Sequence, residues 1–255
     1  MLFPARFPGV TLLSLAVCCL LTVAAASTLA QCPDTGTMVF NQVNSIAGSP
    51  FQAKQVTTIV TYADDGSKTT SIVKANLFRD SKGRVRVERF INVPDNSSDT
   101  ATDILLYDHC GNSYSLRPSL HTGRWQTFTP AANAPHQPYC RDPNPHLVIN
   151  PGPTRTFEDL GSKLIDGVSA HGTRTTEYAS ASDKSTGGPP THIYEHWCAK
   201  SLDNLVQSYS LTDNPKREVT IAITEIKLDE PDASLFTVPE GYKLTKIDQY
   251  GRPIE

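Results

Sequence analysis

The stretch from Thr156 to Tyr242 constrains this chain most. It runs TFEDLGSKLIDGVSAHGTRTTEYAS, crosses a polar gap, continues as HIYEHWCAK, NLVQSYSLTD and REVTIAITEIKL, and stops at DEPDASLFTVPEGY. Within each run apolar or β-branched residues alternate with polar ones, and Gly, Asp, Asn or Pro mark the boundaries. That pattern belongs to half-buried strands. Four or five such runs joined by short turns reverse direction each time, which makes an antiparallel meander.

The front half repeats the pattern. Gln52 to Tyr62 is rich in Val, Thr and Ile, and Asp64-Asp65-Gly66 then signals a hairpin. Lys68 to Asp80 is the returning strand. After the turn Asp80-Ser81-Lys82-Gly83, Arg84 to Asn92 forms a third, with Val85, Val87 and Ile91 on one face. TDILLYD, NSYSLRP and GRWQTFT follow as further strands. Ahead of them, Val39, Val43 and Ile46 at i, i+4 and i+7 predict a short helix over 37–47, with Asp34 and Thr37 as caps. Between Thr129 and Arg155 seven prolines stop any ladder, so 129–155 is expected to be a long loop. The second polar gap, 181–191, joins two strands of the meander.

Residues 1–30 read as a secretory signal peptide: Arg6 is their only charge, Val10 to Ala26 is apolar, and cleavage is expected after Ala26 or Ala30. An uncleaved membrane anchor is the alternative, since the run is nearly long enough to span a bilayer. The expected domain is then 31–255, a single β-rich unit. Without Arg6 it holds 22 basic and 26 acidic residues, a net charge of −4 before histidines. Mild acidity argues against nucleic acid as a partner and limits membrane contact to the periphery. Cys32, Cys110, Cys140 and Cys198 remain, an even number that favours two disulfides in an exported chain. Cys110 with Cys140 and Cys32 with Cys198 is the expected pairing, because the first pair brackets one loop.

Several motifs carry a resemblance in order along the chain. Ser49-Pro50-Phe51-Gln52-Ala53, Asp65-Gly66, and Arg79-Asp80-Ser81-Lys82-Gly83-Arg84-Val85-Arg86-Val87-Glu88 open it. Asp159-Leu160-Gly161, Ile165-Asp166-Gly167-Val168, His171-Gly172-Thr173-Arg174-Thr175-Thr176 and Pro231-Asp232-Ala233-Ser234-Leu235-Phe236 close it. Together they resemble a group of uncharacterised secreted bacterial proteins. More distantly, strands followed by a Leu-Phe-x-x-Pro-x-Gly close are similar to the periplasmic lipoprotein carrier and sorting proteins. That resemblance implies a curved, half-closed antiparallel sheet whose apolar concave face holds acyl chains, and it implies no catalytic residue.

Few clusters invite chemistry. His192, His196 and Cys198 resemble a metal set, yet on a strand the two histidines stand about 13 Å apart. His109, His136 and His146 gather near Cys110 and Cys140 in sequence. Ser169 lacks the closing glycine of a nucleophile elbow. Glu225, Asp229, Glu230 and Asp232 read as a solvated strand end. Arg79, Arg84, Arg86 and Arg89 read as a solvated strand face, with an anion or partner contact as the sharper alternative. Trp125, Trp197 and Tyr194 read as core aromatics.

The fold expected is mainly β: nine to eleven antiparallel strands in one strongly curved, half-barrel-like sheet, with a short N-terminal helix packed on it. The function expected is non-enzymatic, in the periplasm or outside the cell, with no cofactor. A lipid or other apolar ligand would lie in the concavity against Val56, Val60, Val73, Leu77, Val85, Val87, Ile104, Leu106, Val219, Ile221 and Ile223. A protein–protein module with a self-filled core and an envelope protein as partner is the second reading. A hydrolase or metal enzyme is the third.

Overall fold

The computed structural model describes residues 39–40, 43–91, 100–108, 111–127, 140 and 154–254, all within one compact unit, Cys32–Glu255. Two short strands, β1 (Val39–Phe40) and β2 (Val43–Asn44), pair with each other. The remaining described strands build one sheet. Its strands are β3 (Phe51–Tyr62), β4 (Lys68–Arg79), β5 (Val85–Ile91), β6 (Asp103–Tyr107), β7 (Asn112–Arg117), β8 (Thr122–Thr127), β9 (Arg155–Ile165), β10 (Val168–Glu177), β11 (His192–Ala199), β12 (Asn204–Asp213), β13 (Lys216–Lys227) and β14 (Lys243–Lys246). In space they run β14-β8-β7-β6-β5-β4-β3-β13-β12-β11-β10-β9, twelve strands among the described residues. The sheet is open, and every pair is antiparallel except β14 with β8. A six-residue helix, α1 (Ala181–Thr186), fills the second polar gap, capped by the Ser180 hydroxyl.

Turn chemistry sets the register. Gly66, at φ +81°, closes the β3–β4 hairpin by donating to the Ala63 carbonyl. That fixes Phe51 opposite Arg79 and Thr57 opposite Val73. At the β4–β5 turn the Asp80 carboxylate accepts from the backbone N–H of Lys82 and Arg84 and from Arg84 Nε at 2.6 Å. Gly83 there needs both its positive φ and its missing Cβ, which would sit 2.9 Å from the Ile46 carbonyl carbon. Ser45 donates to the Gly83 carbonyl at 2.6 Å, so the chain entering β3 is pinned onto this turn.

The helix expected over 37–47 is corrected here. Val39 and Val43 fall on two paired strands, with Phe40 opposite Val43 and Val39 opposite Asn44. The segment forms the β1–β2 ladder, and Val43 packs fully buried in the core. Pairing of the two short strands, with Val43 buried in the core, takes the place of the helix that the spacing suggests.

Curvature follows from contacts across the sheet. In a flat sheet β4 and β12 would lie about 14 Å apart, three strand spacings, beyond the reach of one side chain. Yet Arg79, at the end of β4, donates through Nη2 to the carbonyl of Leu202 in the β11–β12 turn at 2.6 Å. Asp166, in the β9–β10 turn, likewise accepts from the N–H of Ile226 on β13, again three strands away. Both contacts lie at the same end of the sheet. Register breaks in β9–β10, β11–β12 and β13–β3 supply the bend. Because Arg79 shares a face with Leu77 and Val73, that face is the concave one.

Candidate ligand face

The cross-strand register sorts every residue onto one face or the other. On the concave face lie Phe51, Ala53, Gln55, Thr57 and Ile59 of β3, with Val73, Ala75 and Leu77 opposite on β4. Val85 and Val87 continue it on β5, and Val219, Ile221 and Ile223 on β13. Seven of the eleven expected wall residues therefore share this face: Val73, Leu77, Val85, Val87, Val219, Ile221 and Ile223. The other four do not. Val56 and Val60 pair with Lys74 and Thr70 on the convex side, and Ile104 and Leu106 lie there too, opposite Glu88 and Arg86. The expectation that all eleven line one concavity is corrected by a one-residue parity slip on β3 and β6.

The concave face has two halves. At the end closed by Arg79 and Asp166, its own side chains fill it. Phe51, Leu77, Val85, Val87, Tyr107, Val206 and Ile223 are all buried in one cluster with Val43 and Leu202. Leu77 and Val87 are 0% exposed. Toward the open end, Thr57, Ile59, Val73 and Val219 are only half-buried, and Ile91 is exposed. Ser208 stands opposite Ile221, and Ser210 opposite Val219. The described side chains of this open half are apolar with a few hydroxyls, and the Arg89–Asp103 ion pair lies beside them on the same face.

The convex face is covered differently. Ile104, Leu106 and Leu116 form a second cluster beneath Val238 and Tyr242 of the C-terminal segment. Farther along the same face, a cleft of about 200 Å³ is lined by Gln52, Lys54, Asn76, Phe78, Glu225 and Lys227. Its main polar feature, the Lys54–Glu225 ion pair at 2.9 Å, is already satisfied.

The arginine run is not a solvated face, and this corrects the reading of Arg79, Arg84, Arg86 and Arg89. Arg79 is 0% exposed, donates to the carbonyls of Ser49 and Leu202, and covers the Phe51 ring. Burial lowers its pKa to about 10, against a partial counter-effect from Asp203. Arg84 is held by Asp80 and lies over Phe236. Arg86 bonds Glu88 and the Leu235 carbonyl, and Arg89 makes a two-pronged pair with Asp103 at 2.6 and 2.7 Å. The acidic stretch is structural as well: Asp229 accepts from Gln52, Glu230 from Ser81, and Asp232 caps a short 3-10 turn, Ala233–Phe236.

Cys198 bonds Cys140, with a Cα–Cα distance of 5.5 Å. The expected pairing of Cys110 with Cys140 and Cys32 with Cys198 is thereby corrected. Spacing along a loop says little about which ends meet, and Cys140 is drawn to the closed end, where its N–H donates to Asp203. Cys32, Cys110, His109, His136 and His146 lie outside the described residues, as does the leader. With its sulfur in a disulfide, Cys198 is no thiolate ligand for His192 and His196. Among the described residues no three His, Cys, Asp or Glu side chains converge as a metal site, and no helix is long and apolar enough to cross a membrane.

One constellation was missed in the sequence. Ser162 Oγ lies 3.2 Å from His171 Nδ1, and His171 Nε2 lies 3.0 Å from Asp159 Oδ1. The residue types are those of a hydrolytic triad, but the ring nitrogens are reversed, since a triad serine meets Nε2 and its aspartate Nδ1. The third member is also not suited to the task. Asp159 is more than half exposed, already accepts from the Gly161 N–H at 2.7 Å, and meets His171 without hydrogen-bond alignment. A triad aspartate is buried so that its charge can stabilise an imidazolium; water screens this one. Beside it, Trp197 lies flat over Gly172, whose Cβ would sit 2.7 Å from the indole ring. Trp197 is buried and so is a core aromatic, while Trp125 is half-buried and stacks on Tyr114.

No family model matches the sequence, and no curated protein matches it. Solved structures with a similar fold include an uncharacterized conserved protein from Thermus thermophilus, at 10% identity and TM-score 0.43 over 78% of this chain and 91% of that one. The MucA/MucB complex of Pseudomonas aeruginosa matches at 15% identity and TM-score 0.38, over 74% of this chain and 55% of that one. An outer membrane lipoprotein-sorting protein domain from Vibrio parahaemolyticus matches at 10% identity and TM-score 0.30, over 74% and 90%. Each of these is a remote match at low identity. At this distance such a match says nothing about ligand or partner.

Proposed function

We propose that this is an exported, non-enzymatic cell-envelope protein that holds an apolar or lipid-like ligand against the open half of its concave face. The observation that carries the reading is the contrast between the two halves. One end of the concavity is filled by the chain's own side chains, while Thr57, Ile59, Val73, Val219 and Ile91 leave apolar surface half-open at the other. Such surface gains by covering, at roughly 25 cal/mol per Å² removed from water. The Cys140–Cys198 bond supports export, since disulfides persist in oxidising compartments.

A second reading, a protein–protein module, draws on the closed end: Leu77, Val85, Val87 and Ile223 leave no space there for a guest. Native mass spectrometry of protein purified from an oxidising compartment, followed by organic extraction, separates the two. Excess mass that extracts as lipid supports the carrier reading. A mass equal to the bare processed chain, with no uptake of an added fluorescent fatty acid, overturns it in favour of a protein partner.

A further inference from the structure

At the far end of the same concave face, three cations stand without an acidic partner among the described residues. Arg117 of β7 lies opposite Thr122 of β8, which in turn lies opposite Lys243 of β14. Arg124, one row along on the same face, lies between Ser115 and Thr245. All three cations are exposed. Among the described residues none of them makes an ion pair, whereas Arg84, Arg86, Arg89, Arg155 and Arg174 each do. Asp103, next in register to Arg117 across β6 and β7, is held by both prongs of Arg89. In a chain of net charge −3, this is a local excess of positive charge interleaved with hydroxyl groups.

The position is as telling as the charge. Continuing the register puts Arg117 and Lys243 in the row of Asp103, Arg89 and Ala75, adjacent to the row where Val73 is half-buried and Ile91 exposed, while Arg124 lies in the row of Leu77 and Val87. From β8 to β4 is four strand spacings, about 19 Å, the scale of a long acyl chain laid across the strands. Arginines and hydroxyls on adjacent strands suit a phosphate, which takes charge-assisted hydrogen bonds from several donors at once.

We infer that Arg117, Arg124 and Lys243, with Ser115, Thr122 and Thr245, bind the phosphate of an anionic lipid whose acyl chains lie on the open apolar half of the concave face. This rests on the carrier reading proposed above and names the headgroup class. The test compares pyrene-labelled phosphatidylglycerol with pyrene-labelled diacylglycerol of the same acyl chains, on the full exported chain with its disulfide intact. The wild type is expected to prefer the phosphatidylglycerol by about tenfold, less so in high salt. The variant Arg117→Gln/Arg124→Gln/Lys243→Gln is expected to bind the two lipids within about twofold of each other, with diacylglycerol affinity and urea midpoint unchanged.

Binding of diacylglycerol without a phosphatidylglycerol preference overturns this inference and leaves the carrier reading standing. Binding of neither lipid sinks both. Inorganic phosphate, titrated alone, distinguishes the remaining source. If it binds the wild type, not the variant, and displaces no lipid, the patch is a free-anion site and the headgroup assignment fails.

Discussion

At the scale of single residues, many polar groups at the closed end and on the β9–β11 flank are tied off internally, although His171 Nε2 is buried without a hydrogen bond. Glu195 shows how closely. Its Oε1 accepts from the Trp197 indole N–H at 2.8 Å, and its Oε2 from Arg174 at 2.9 Å. The indole bond first, then the guanidinium, holds this carboxyl below the usual carboxylate range against the opposing effect of burial. A carboxyl whose folded pKa is depressed stabilises the fold above its unfolded value, and that contribution is lost as pH falls through the folded value. Glu195→Gln is therefore expected to cost about 1 kcal/mol near neutral pH, since Arg174 is partly exposed and the pair partly screened. The gap between variant and wild type should shrink steadily below about pH 4, the ordinary glutamate range. Urea midpoints followed by Trp fluorescence at neutral and acid pH check this, and a pH-independent gap would refute it.

At the scale of elements, legibility tracked how local each interaction is. β3, β4 and β5 were readable to within one residue because Asp-Gly and Lys-Gly turns bracket period-two runs. What joins the halves, β3 against β13, is a pairing across more than 150 residues that no local pattern announces. α1 was hidden in a polar stretch, and β14 in four polar-looking residues whose strand state depends on β8. On the ligand face, hydrophobicity itself misled. The concave side of β3 carries Gln55 and Thr57 between apolar residues, while Val56 and Val60 look outward, so choosing the valines selected the wrong parity.

The disulfide belongs to this scale because it ties the middle of the chain to the end of β11. Its cysteines are 58 residues apart, for which the chain-entropy model assigns about 4 kcal/mol. Cys140→Ser/Cys198→Ser is expected to lose about that much in urea unfolding. A loss under about 1 kcal/mol would mean that the closed end is held by Arg79 and its packing instead.

At the scale of the whole molecule, a twelve-stranded open sheet has two faces to account for, and the chain treats them unequally. Among the described residues, the C-terminal segment packs on the convex apolar patch, while Thr57, Ile59, Val73 and Val219 on the concave face are only half-buried. That asymmetry makes the two faces separable by mutation. Leu106 lies under Val238 and Tyr242, so Leu106→Ala removes buried contact and should cost about 3 kcal/mol of stability while leaving lipid capture by the surviving folded protein unchanged. Ile59→Ser/Val219→Ser changes two half-open positions, where less burial is lost on folding and more is lost on binding. It should leave the urea midpoint within about 1 kcal/mol of wild type and weaken capture of a fluorescent fatty acid by about tenfold or more. If both variants act on stability alone, the open half of the concave face is core that merely stands ajar, and the protein-partner reading takes its place. If the second acts on capture alone, the curvature set by Arg79 and Asp166 at one end exists to keep the other end open.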